Sequence, residues 1–423
     1  MEQTAQTAVE KAPPRIHYGL VVLAMIVLAV FGGLGLARFG YTSILPAMQD
    51  GLKLTNTQTG ELQSWNLVGY LLTVVFAGVL AARYGPRIII AISLLIVALA
   101  MIATGLFPMF DAARLGRFFA GVGGAGANVP AMALVSAWFG AKRRGIAAGV
   151  AVAGSSIGLM VTGPLVPAIL SQYGAEGWRV SWYALGALTL AVFVLCVLLL
   201  RNRPDEMRLT PLGDSAAESD QRRAEQTASS LDWSLVYKSG TLWHLAAIYL
   251  AFGFSYIIYS TFFVRYLVKE GGFSAGSAGT LWLQIGVVTT ISGFIWGSVS
   301  DRWGRRAALL GVFALQGLSF LVFGLSRDLP AVYLSSALFA VTAWSVPALM
   351  AALSGDLFGA RLAPAALGLL TIVFGTGQAI GPYLAGAIAD ATQSFALAFV
   401  IAGAVALVLG VGGSLALRVP NST

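Results

Sequence analysis

Charge is what this sequence has least of. Only 10% of its 423 residues are charged, with 18 acids, 26 Lys and Arg, and two His, against about 25% in ordinary soluble domains. A single cysteine, Cys196, excludes an internal disulfide and a cysteine metal cluster. All the acids fall in tails, loops or helix ends, and the two histidines, His17 and His244, sit at the ends of apolar stretches. No nucleophile, base and metal ligands gather at one depth, which argues against an enzyme, a metal centre or a bound cofactor.

What the sequence has instead is apolar length: 57% hydrophobic residues and a mean hydropathy of +0.81. A bilayer takes about 20 apolar residues per helix. Blocks of that kind recur near 18–48, 59–81, 88–107, 115–138, 145–171, 180–200, 241–264, 275–298, 307–326, 331–354, 362–388 and 394–417. The expected fold is therefore all-α and integral to the membrane, with twelve transmembrane helices. The first block is too long for a signal-peptide core and has no small-residue cleavage site, so it is expected to stay as the first helix. Most Lys and Arg of the connections, such as Arg83, Arg87, Arg143, Arg201, Arg302 and Arg305, lie on the side of the termini. Basic residues are retained in the cytoplasm, which predicts both termini there. This asymmetry also accounts for the net charge of +8, so nucleic acid is not an expected partner.

Residues 201–233 are polar, rich in charge and poor in large apolar side chains, and read as a flexible linker. The expected organisation is a tail 1–17, a six-helix bundle 18–200, a linker 201–240, a second bundle 241–417 and a tail 418–423. The bundles repeat one another. GVLAARYGPR at 78–87 matches GSVSDRWGRR at 297–306, NVPAM at 128–132 matches SVPAL at 345–349, and TGPL at 162–165 matches IGPY at 380–383. Matches in the same order at nearly one offset mark a duplicated unit.

The pattern G-x-L-x-D-R-x-G-R-R resembles the hallmark of the major facilitator superfamily. Its second copy, Gly297, Asp301, Arg302, Gly304, Arg305 and Arg306, is complete; the first keeps Gly78, Arg83, Gly85 and Arg87 but has Ala82 in place of the acid. The resemblance implies a transporter of two six-helix halves that rock around a central substrate, acting as a monomer, with this motif as part of the gate.

Arg38 interrupts an otherwise uncharged run from Tyr18 to Gln49. An ionised side chain at that depth turns toward protein or a water-filled cavity. It stands eight residues before Pro46, as does an anion-holding arginine in the organic-anion branches that this stretch resembles. Its planar fork suits a carboxylate or phosphate, while pairing between helices is the competing role. At the corresponding place in the second half stands Ile257, and the nearest cation, Arg265, aligns with Pro46. One central cation points to a monoanion.

On the fourth span, Arg117, Gly121, Gly124 and Asn128 share one face. Arg117 resembles the superfamily's fourth-helix arginine, which implies a coupling or steering charge; a purely structural bond is the alternative. On the seventh span Tyr249, Phe252, Tyr256, Tyr259 and Phe263 form an aromatic face, from which Tyr256 and Tyr259 could offer hydroxyls to a carboxylate. Gln284 and Gln378 are further candidate contacts, with Gln63 and Asn66 behind them. Glu61 is the acid nearest a cavity and the candidate for proton coupling.

Segments 138–158 and 201–213 resemble bacterial monocarboxylate and oxalate/formate-type porters, although the carboxylate and arginine expected in their eighth helix are missing here. The expected function is secondary active transport of a small organic anion, most simply a monocarboxylate, by proton symport or anion exchange. The competing function is proton-coupled efflux of hydrophobic compounds, which has no need of Arg38.

Overall fold

The structure is a computed structural model that describes residues 17–214 and 234–417. Residues 1–16 and 418–423 of the expected tails, and residues 215–233 of the expected linker, lie outside the described residues. Eleven helical stretches among those described are long and apolar enough to cross a membrane. One of them, Ala141–Leu199, spans 59 residues, or about 90 Å as a single rod. It breaks at the one-turn Gly174–Glu176, where Gly174 has φ 54°, and so supplies two spans.

In chain order the spans are α1 Tyr18–Leu52, α2 Asn56–Tyr84, α3 Pro86–Leu106, α4 Phe110–Trp138, α5 Ala141–Tyr173 and α6 Gly177–Leu199, then α7 Gly240–Lys269, α8 Ala275–Trp303, α9 Arg305–Leu325, α10 Leu329–Gly359, α11 Leu362–Thr392 and α12 Ala396–Ala416. The fold is all-helical, with two six-helix repeats. Between α10 and α11 the chain turns at Gly359, whose φ of 69° is open to glycine without strain. Helix α2 opens with a reciprocal capping box between Thr55 and Gln58, which satisfies two end N–H groups.

The halves meet along α2 against α11 and α5 against α8, with α1 beside α7. At the end away from the termini they are closed. A Cβ on Gly60 would come within 2.0 Å of the Pro382 carbonyl oxygen, and one on Gly279 within 2.1 Å of the Gly163 oxygen. Asp390 of α11 accepts from the backbone N–H groups of Asn56 at 2.9 Å and Thr57 at 2.8 Å, and from the Thr57 hydroxyl at 2.5 Å. A carboxylate of one half thus caps a helix of the other. At the terminal end α2, α5, α8, α10 and α11 present glycine to open space. Added Cβ atoms on Gly78, Gly145, Gly149, Gly297, Gly355 and Gly368 would meet nothing within 4 Å.

The start of the polar segment is not a free linker. Leu212 N–H donates to the Trp138 carbonyl at 2.8 Å and its own carbonyl accepts from Gly140 at 3.1 Å, while His17 meets the Thr210 carbonyl at 3.1 Å. Backbone groups that composition leaves unpaired are here satisfied by the end of α4.

Candidate functional site

Helix α1 changes its winding where its charge lies. Between two α-helical stretches, Phe31–Phe39 is π-helical, a form that is rare and concentrated at functional sites. Glycines make it possible to pack such a widened turn closely: a Cβ on Gly35 would stand 2.9 Å from Gly158 Cα of α5. Arg38 lies near the end of this segment, about 21 Å of helix from the far end of α1 and about 30 Å from its terminal end.

The Arg38 side chain is 7% exposed, and its Nε and Nη2 have no hydrogen-bond partner. The guanidinium carbon stands 4.4 Å from the centre of the Tyr70 ring on α2, a cation–π contact that compensates only part of the charge. Across the junction between the halves, the neighbour of Arg38 is the Tyr256 hydroxyl of α7. Gln378 of α11 donates to that hydroxyl, and Asn128 of α4 donates to the Tyr70 hydroxyl at 2.9 Å. Four of the residues expected at the site, Arg38, Asn128, Tyr256 and Gln378, therefore come together.

Arg117 is beside this group, fully buried and differently occupied. One of its terminal nitrogens donates to the Ala37 carbonyl, and the other to Gln63 Oε1 at 2.7 Å. Its guanidinium carbon lies 4.6 Å from the Tyr41 ring centre and 5.5 Å from that of Trp182. Its own carbonyl accepts from Asn66 at 3.0 Å. The carbonyl that Arg117 grips belongs to the residue before Arg38, within the π segment. Gln63 and Asn66 are thus drawn to Arg117.

Three expected site residues stand elsewhere. Tyr259 turns into the second half, its hydroxyl 2.8 Å from Ser335 Oγ and its ring among Phe320, Phe323 and Phe339 at 4.5–5.1 Å. Gln284 lies on an exposed face of α8. Glu61 accepts from Arg114 at 3.1 Å and from the Trp65 indole at 3.2 Å, which holds its carboxylate at the end of α2. Arg265, the other membrane cation, belongs to the far-end closure: it donates to Gln49 at 3.1 Å, Asn56 at 2.8 Å and Glu270 at 2.5 Å.

The two motif copies differ as their sequences do. In the second, Arg305 bonds Asp301 at 2.7 Å and Asp356 of α10 at 2.8 Å, Arg306 donates to the Leu415 carbonyl, Gly304 turns with φ 89°, and Arg302 and Gly297 lie on the same stretch of α8. In the first, Ala82 and Pro86 stand where Asp301 and Arg305 stand in the second, and a different contact is made, by Asn202. Its side-chain oxygen accepts from Arg87 N–H at 2.9 Å beside Gly85, which turns with φ 87°, while Arg83 lies over the Tyr84 ring.

Sequence reasoning missed Tyr70, Asn202, Asp356 and Asp390, and two rings near Tyr256. Trp344 stands 6.2 Å from it edge-on, and Phe374 lies parallel to it at 6.0 Å. The match of NVPAM with SVPAL, which begins one residue after Trp344, was the one signal that pointed to that part of α10.

The family model described as "Uncharacterised MFS-type transporter YbfB" matches residues 28–413. The chain belongs to this family of the major facilitator superfamily. A member of such a family is a transporter and not an enzyme. Among curated relatives, the probable sulfoacetate transporter SauU of Cupriavidus necator is 26% identical over 89% of this chain and 88% of its own. The hexuronate transporter of Bacillus subtilis is 26% identical over 88% of each. Monocarboxylate transporter 12 of Rattus norvegicus is 25% identical over 67% of this chain and 61% of its own. Among solved structures, a bacterial homologue of the human lysosomal transporter Spinster, inward-facing and occupied, superposes with a TM-score of 0.77 at 18% identity, covering 96% of this chain and 98% of that one. The nucleoside transporter NupG gives 0.73 at 13% identity, covering 95% and 99%. These two support the fold.

Proposed function

We propose that this family member carries a small organic monoanion, a monocarboxylate, across the bacterial inner membrane by alternating access, with its termini in the cytoplasm and as a monomer. The observation behind this reading is Arg38: a guanidinium deep in the membrane, at the junction of the two halves, with two nitrogens unpartnered. A buried cation without a counter-charge is costly, and a carboxylate that pairs with both nitrogens removes that cost. The relatives that handle sulfoacetate, hexuronate and monocarboxylates, acids all, support the same reading.

Arg117 serves as a positioning residue in this scheme. By holding the Ala37 carbonyl it fixes the π turn from which Arg38 emerges. Glu61 is tied to Arg114, so the proton, where symport operates, enters on the substrate carboxylate; anion exchange is the other mode that this site permits.

Uptake of labelled lactate, pyruvate and formate into proteoliposomes under an inward proton gradient tests the proposal. Wild type should accumulate at least one of these acids. Arg38→Ala and Arg38→Lys should lower the rate by about a hundredfold and about tenfold, since Lys keeps the charge but loses the fork. Uptake unchanged in Arg38→Ala would sink the binding role and favour efflux of uncharged compounds.

A further inference from the structure

Around Arg38 several polar groups bond one another. The Asn128 amide donates to Tyr70 and the Gln378 amide to Tyr256. The indole N–H of Trp344 is taken by Ser156 Oγ at 3.0 Å, in a contact that crosses between α10 and α5. Gln63 and Asn66 are held by Arg117. Among the buried atoms without a partner, which include Arg117 Nε and the Ser64 and Ser255 hydroxyls, Arg38 stands out by having two, Nε and Nη2, on one planar guanidinium.

The wall opposite Arg38 is made of ring faces. Tyr249 and Phe374 stack at 4.3 Å with 11° between their planes, Phe252 and Tyr256 at 4.8 Å with 11°, and Tyr256 and Phe374 at 6.0 Å with 10°. Phe374 and Trp344, whose ring centres lie 6.0 and 6.2 Å from that of Tyr256, are only partly buried, so rings beside the neighbour of Arg38 keep carbon surface that the protein does not cover.

We propose, building on the anion reading above, that the preferred substrates are aromatic monocarboxylates, and that hydroxylated sugar acids are rejected. The carboxylate pairs with Arg38 while the ring extends the parallel array of α7 and α11. A sugar acid seated in the same way lays several hydroxyls against ring faces, which offer them no conventional hydrogen bond. Each hydroxyl that loses water without gaining a partner weakens binding by roughly five- to a hundredfold. An aryl ring loses no hydrogen bond and gains offset stacking.

The test is competition in proteoliposomes loaded with the wild-type protein, using labelled benzoate, with acetate, benzoate, galactonate and glucuronate as competitors. The expected order of affinity is benzoate first, acetate about tenfold weaker, and the two sugar acids weaker than acetate. Phe374→Ala should lower the benzoate-to-acetate affinity ratio about fivefold, and Phe374→Trp should restore it; a purely structural defect would weaken both acids together and leave the ratio in place. Galactonate equal to or better than benzoate overturns the aromatic inference and leaves the anion reading standing. Acetate equal to benzoate also overturns it. No binding of any acid removes the anion reading itself.

Discussion

The two ends of the molecule use the same residue type for opposite ends. Away from the termini, glycines let the backbones of the two halves touch: a Cβ on Gly386 would lie 2.2 Å from the Asn56 carbonyl oxygen. Toward the termini, Gly78, Gly297 and Gly368 face open space. Such small residues are selected where helices approach closely. Glycines with nothing beside them in this state are explained if the halves close there in the other. One set is in use while the other waits.

The sharpest way to break this comparison is to fill one glycine at each end. Gly60→Leu would place atoms where the Pro382 carbonyl stands, 2.0 Å from the Cβ position, so the far end cannot close as it does here. Transport should fall by about a hundredfold, with spin labels at Lys53 and Gln393 moving apart in a Cys196→Ser background. Gly78→Leu meets no atom within 4 Å, so the state described here should melt within about two degrees of wild type, yet transport should drop about tenfold. Wild-type transport in Gly78→Leu would mean that the terminal end never closes at that glycine.

Asp390→Ala attacks the far closure through its charge. Losing a helix cap costs about 1 to 2 kcal/mol, which favours opening of the far end by roughly five- to thirtyfold. The same pair of labels should report a second, longer distance. A single unchanged distance would show that the glycine contacts close this end without the cap.

Asp301→Asn should have the smallest effect. Its bond to Arg305 is 2.7 Å long, but the Asp301 side chain is 73% exposed, and exposed pairs contribute about 0 to 1 kcal/mol. Transport should change by less than about fivefold. The first motif copy already has Ala82 at the place of Asp301 and Pro86 at that of Arg305, and so does without this ion pair.

Helices, repeat and the depth of Arg38 were legible because each follows from composition or from spacing along one chain. Partners across helices were not. Tyr70 sits in a run, NLVGYLLTVV, that marks no face, and only the packing of α2 against α1 brings it to Arg38. Tyr256 and Tyr259 looked equivalent at three residues apart. Yet α7 is 83% buried over its apolar window, so a small rotation carries a side chain from the junction between halves into the second half's own core. Glu61 and Arg114 are far apart in sequence, and their pairing depends on how α2 meets α4. The π segment left no trace either, since FGGLGLARF reads as ordinary apolar helix.

That segment has a consequence for how this stretch can vary. A π turn arises by admitting one residue beyond the α-helical count, so its length is tied to the direction in which Arg38 points. Losing one residue between Phe31 and Phe39 would rewind the turn and change the direction of Arg38 relative to one flank, whatever residues remained. Here the number of residues is as much a part of the recognition element as their identity, and drift by deletion is closed to it where drift by substitution is not.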